Sequence, residues 1–149
     1  IPTIDRAKYA SAAGVSKGAY VLADAREGKP EVLLLATGSE VSLALEAHET
    51  LSSEGIRSRV VSMPSMELFE EQDPSYRAAV LPPEVRARVS IEQASTFGWA
   101  RYVGIRGETI GMKTFGASAP LKDLQTKFGF NAAHIVSAAK EQIKRARQT

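Results

Sequence analysis

Two rhythms of apolar residues run through this chain. Short unbroken runs of strand length alternate with stretches in which apolar positions recur at helical spacing. Val32-Leu33-Leu34-Leu35-Ala36 is the clearest run. A strand apolar on both faces belongs inside a parallel sheet covered by helices. Beyond it, Val41, Leu45, His48 and Leu51 fall on one helical face, with Ala44 and Ala47 beside them. Thr37-Gly38-Ser39-Glu40 matches a capping box, in which Thr37 accepts from the Glu40 amide and the Glu40 side chain returns to Thr37. Gly55 is placed to end that helix as a C′ glycine. Residues 56–63 then read as a strand stopped by Pro64. Strand, helix and strand in this spacing predict a right-handed βαβ unit.

The alternation continues on both sides. Residues 18–22 form a strand candidate, and the turn at Glu27-Gly28-Lys29-Pro30 allows a hairpin between it and the next run. Asp73-Pro74 opens a short helix over 75–81, broken by Pro82-Pro83. Residues 87–92 alternate apolar and polar, as a strand does. The aromatic stretch 97–103 predicts a short helix, 109–112 a strand and 120–128 a helix closed by Gly129. Asn131 caps a last helix with Ile135, Val136, Ala139 and Ile143 on its apolar face. The sum is a three-layer α/β/α fold around a mostly parallel, mixed sheet of about five strands. Residues 1–17 are small, polar and Gly-containing and read as a linker. Residues 18–149 read as the domain.

Composition narrows the function classes. The chain has 149 residues, enough for one domain burying roughly 70% of its unfolded surface. It has no cysteine, which excludes disulfides and thiolate chemistry and fits a cytoplasmic setting. No apolar run approaches the ~18 residues of a membrane helix. No basic, apolar signal sequence opens the chain, and a first residue other than Met suggests a fragment or a processed chain. The net charge is +2, with the excess at Lys140, Lys144, Arg145 and Arg147. Those cations close a helix, where they oppose the negative end of its dipole. They lack the interleaved aromatics of a nucleic-acid surface.

Candidate chemistry is sparse. Thr37, Gly38 and Ser39 lie at the carboxyl end of a strand and open a helix, an edge where backbone amides can hold an anion. One glycine is fewer than a pyrophosphate loop uses, and Glu40 would repel phosphate, so a capped helix is the preferred reading. His48 has no second ligand four residues away, and His134 lies in the first turn of the last helix. Neither forms a zinc motif or a Ser-His-Asp arrangement. Glu92 ends a predicted strand, where reactive groups are often placed. A contact to a neighbouring domain is an equal reading. Phe97, Trp99, Tyr102 and Phe115 stand in or beside glycine-containing loops. They are either buried packing or an interface.

Several stretches in order resemble the C-terminal domain of transketolases. They are Leu35-Ala36-Thr37-Gly38-Ser39-Glu40-Val41, Val60-Val61-Ser62-Met63-Pro64-Ser65, Phe69-Glu70-Glu71-Gln72-Asp73 with Tyr76, Val80-Leu81-Pro82, and residues 111–120 around Lys113-Thr114-Phe115-Gly116. Deoxyxylulose-phosphate synthases and the β subunits of 2-oxo acid dehydrogenases share the fold but tend to carry an Asp-containing segment where this chain has 61–65. Dihydroxyacetone synthase is nearer still. The resemblance implies a three-domain parent enzyme of the pentose phosphate pathway, a homodimer. It would transfer a two-carbon ketol unit between sugar phosphates with thiamine diphosphate and Mg2+ or Ca2+. It implies no catalytic, cofactor or metal residue on this chain. The implied partners are the other domains of the same polypeptide, with neither nucleic acid nor membrane.

Overall fold

Val32–Ala36 (β2) is the middle of the sheet, with all five side chains buried. The computed structural model describes residues 12–92, 102, 108–111 and 131–148. Around β2 lie β1 (Tyr20–Ala23), β3 (Ser58–Ser62), β4 (Arg88–Glu92) and β5 (Glu108–Gly111), in the order β1-β3-β2-β4-β5. The helices are α1 (Glu40–Ser53), α2 (Met66–Glu70), α3 (Pro74–Val80) and α4 (Ala132–Arg147), and a 3-10 helix spans Ala12–Lys17. The predicted helix over 120–128 lies outside the described residues.

Side-chain alternation along β2 divides the core in two. Val32, Leu34 and Ala36 face α1 and α4, where Ala44, Leu45, Leu51, Ile135 and Ala139 join them. Leu33 and Leu35 face the other way, onto Phe69 of α2, Val80 of α3 and Tyr102. Both faces of the central strand are therefore covered, which is why it reads as an unbroken apolar run.

The hairpin that the turn at 27–30 allows between β1 and β2 does not form. β1 pairs antiparallel with β3, Tyr20 opposite Ser62 and Val21 opposite Val61. The reason is that β2 already has parallel partners on both edges, β3 and β4. Between Val21 and Ala23 the ladder shifts by one residue, a bulge that leaves Leu22 without an opposite number.

The helix ends mix confirmation and correction. Gly55, at φ +77°, closes α1 as expected. Its N–H donates to the Ser52 carbonyl, and that of Ile56 donates to Leu51 at 2.9 Å, the paired bonds of a Schellman end. Asn131 caps α4 by accepting from the His134 amide at 2.8 Å. The Thr37–Glu40 capping box is not built. Ser39 is the N-cap, with helical φ and ψ and no side-chain cap bond. Glu40 is thus the first helical residue, not the third, and cannot play the partner role. Asp73 stands at the N-cap of α3 with Pro74 behind it, but its side chain makes no cap bond either.

Candidate functional site

The connections place a topological switch point between β2 and β4. The chain leaves β2 through α1 to reach β3 on one side. It then returns through α2 and α3 on the opposite face to β4 on the other side. Loops diverge at the carboxyl ends of β2 and β4, and open α/β sheets bind ligands in that crevice. Ala36 is opposite Ile91 in the parallel ladder, so Thr37 and Glu92 follow at the same level. Two of the positions singled out from sequence are therefore neighbours at this edge. The β4–β5 ladder sets Glu92 opposite Gly111.

The chain's own carboxylate lies against the Thr37–Ser39 loop. Gly38 adopts φ +61°, which only glycine does without strain. This turn directs the loop into α1. A Cβ added at Gly38 would stand 3.6 Å from Glu40 Oε2. Ser39 Oγ donates to Glu40 Oε1 at 3.1 Å, and Ser42 Oγ donates back to the Ser39 carbonyl at 3.0 Å. Glu40 is only 5% exposed. Its negative charge at the first turn favours the helix dipole, the role an anionic ligand would otherwise fill.

Other polar groups are committed to the fold. His48 is buried and its Nδ1 lies 2.6 Å from Ser58 Oγ, joining α1 to β3. A serine–histidine contact suggests nucleophile chemistry, but Ser58 is wholly buried and no substrate reaches it. His134 is exposed. Among the described residues, no three His, Cys, Asp or Glu side chains gather as a metal site. Also among them, no helix is long and apolar enough to cross a membrane.

Of the aromatic candidates, Tyr102 is inside the domain. It is 4% exposed, meets Phe69 edge-on at 6.0 Å and donates its hydroxyl to Glu70 Oε1 at 2.7 Å. Buried packing, not an exposed interface, is its place. The side chain of Glu92 is outside what is described, as are Phe97, Trp99 and Phe115.

Sequence reasoning missed the polar frame around Tyr102. Arg77 Nη1 donates to Glu70 Oε2 at 3.3 Å. Arg88 donates to the carbonyls of Val85, Pro82 and Tyr102, the last at 2.6 Å. Burial lowers the Arg88 guanidinium from its ordinary value, while the Glu84 carboxylate raises it. Tyr76 lies 6.4 Å from Phe69 and donates to the Ala19 carbonyl at 2.7 Å. Burial raises its hydroxyl above the usual tyrosine value. The five-residue α2, capped by Ser65 accepting from Leu68, was also unread, because so short a helix shows almost no periodicity.

A shallow cavity of about 380 Å3 lies away from this edge, at the start of β2 and β3, lined by Glu31, Ile56, Lys140, Ile143, Lys144 and Arg147. Its cations are largely matched: Lys140 by Glu54 and Arg147 by Glu31.

Residues 18–131 match the family described as the transketolase-like C-terminal domain. The chain belongs to that family. It is 51% identical over 144 residues to a transketolase of Halalkalibacterium halodurans, covering 97% of this chain and 22% of that protein. The transketolase structure from Leishmania mexicana superposes with a TM-score of 0.82 at 44% identity, covering 91% of this chain and 19% of that one. A structure described as a split gene transketolase, an inactive β4 tetramer, has a TM-score of 0.65 at 26% identity, covering 87% of this chain and 43% of that one. The chain thus spans about a fifth of the length of the curated transketolases it matches. The transketolase-like fold accounts for the mixed sheet with helices on both faces.

Proposed function

We propose that this chain is the non-catalytic C-terminal domain of a transketolase. Its role is to pack against the other domains of the same polypeptide and to support assembly of a homodimer. The parent enzyme transfers a two-carbon ketol unit between sugar phosphates in the cytoplasm. Thiamine diphosphate and its divalent metal are held by the domains outside these residues. One observation carries the reading: the family match runs through most of the chain, yet the chain accounts for only 22% of the full-length relative. The switch-point edge supports it, since Glu40 fills the helix start that a phosphate would need.

Two measurements test the reading. The isolated chain, mixed with thiamine diphosphate and Mg2+, gives no heat in calorimetry and no ketol transfer from xylulose 5-phosphate to ribose 5-phosphate. Saturable micromolar binding would overturn it. The same experiment on the full-length polypeptide restores both signals.

A further inference from the structure

The residues leading into the domain are clamped to it. The Gly18 N–H donates to the Val15 carbonyl at 3.0 Å, and the Gly18 carbonyl accepts from Ser65 at 2.9 Å. A Cβ on Gly18 would stand 2.3 Å from both the Phe69 nitrogen and the Ser65 oxygen, so the backbone lies directly against α2. One residue earlier, the Lys17 ammonium stands 4.5 Å over the Tyr76 ring. Further back, a Cβ on Gly14 would collide with Tyr20 at 2.4 Å. A flexible Gly-rich tether would make none of these contacts.

This clamp gathers apolar surface at one corner. Val15 and Leu68 are the two large apolar side chains left exposed among the described residues, at 42% and 41%. The Gly18 slot brings their backbones together, since Val15 accepts from Gly18 and the Leu68 carbonyl carbon lies 2.8 Å from a Gly18 Cβ. Pro64 is exposed beside Ser65, and Met66 is half-buried at the margin. Lys17 and Glu67 are exposed next to them. An apolar centre with a charged border is the anatomy of an interdomain contact. Single exposed apolar residues need no explanation, whereas Val15 and Leu68 both flank the one Gly18 slot.

We propose that the corner of Val15, Pro64 and Leu68 is the seat of the domain that precedes this one in the polypeptide. The inference rests on the transketolase C-terminal reading, which puts the remaining four-fifths or so of the relatives' length on the amino side. Residues 12–17, the described residues on that side of the domain, run into it at this corner and are held there by the Gly18 slot. The preceding domain is therefore docked in a set orientation, with an apolar surface of its own over Leu68.

Hydrogen exchange on the full-length polypeptide and on the isolated chain tests this. Amides of residues 13–17 and 65–70 should exchange at least tenfold more slowly in the full-length protein. Protection that appears elsewhere on the domain but not at the corner overturns the proposal and leaves the domain reading standing. No added protection anywhere on the domain overturns both. In the full-length protein, Leu68→Asp should speed cleavage at residues 1–17 by added protease, and unchanged cleavage counts against the corner. The same variant in the isolated chain should leave the melting temperature unchanged. A large fall there would place Leu68 in the core and also overturn the proposal.

Discussion

Arg59 and Asp24 meet in a two-pronged ion pair, Nε to Oδ1 at 2.9 Å and Nη2 to Oδ2 at 3.1 Å. The third nitrogen of the fork, Nη1, donates to the carbonyls of Ala79 and Val80. One side chain on β3 thus ties the end of β1 to the end of α3, across the face that carries Tyr76 and Tyr102. Its side chain is only 12% exposed. Arg59→Lys keeps the charge but cannot make the fork. We expect it to lose about 1–2 kcal/mol in urea unfolding, against roughly 0.5 kcal/mol for a typical surface change. Loss within error would show that the pair is a surface ion pair of little weight.

Two glycines with similar backbone angles should respond very differently to alanine. Gly18 has φ +84° and no room for a side chain, whereas Gly55 has φ +77° and open space around it. Gly55→Ala should cost only the conformational strain, about 1 kcal/mol. Gly18→Ala adds a clash with the α2 backbone and should cost more than about 3 kcal/mol or prevent folding. Equal melting temperatures for the two variants would contradict the close packing at Gly18.

Tyr76 makes stability fall at high pH. Burial raises its hydroxyl above the ordinary value of 10.0, and the hydroxyl is the donor to the Ala19 carbonyl. The folded state then holds this proton more tightly than the unfolded chain. Its contribution is full below pH about 10 and is lost as pH rises through the folded value. Tyr76→Phe should flatten the fall in melting temperature above pH 10, relative to the parent chain, and a slope unchanged by the variant would assign the effect elsewhere.

Glu40 guards the switch-point edge with its own charge. Glu40→Gln keeps the side chain's length and removes the repulsion, leaving the amides of α1's first turn for an anion. Titration with inorganic phosphate should shift the amides of residues 38–41 in the variant and leave them still in the parent chain. If both behave alike, the carboxylate is not what closes the loop.

The predicted elements that held are those whose cause is local. The β2 run, the glycine end of α1, the Asn131 cap and the apolar face of α4 each depend on residues within one turn or one strand. The family resemblance was also legible, because its stretches keep their residues and order. The alignment of Thr37 with Glu92 was less so, although both positions stood out. It depends on β4 pairing beside β2, a contact between segments about fifty residues apart in sequence. Pairing partners are a tertiary matter: β1 could have joined either neighbour, and the filled edges of β2 sent it to β3. The capping box failed for a related reason. Residues at the right spacing met a turn at Gly38 that delayed the helix and folded Glu40 back as its first residue.

Sequence alone determined an α/β domain with strands and helices in a given order, because period, caps and breakers act over a few residues, and its ordered stretches separately carried the resemblance to transketolases. Only the tertiary structure decided which strands are neighbours, that Tyr102 belongs to the core, that Glu40 lies over its own loop, and that residues 12–18 are fastened to α2. Each of these depends on what the far parts of the chain place nearby, and burial makes such placements binding by removing water as the alternative partner.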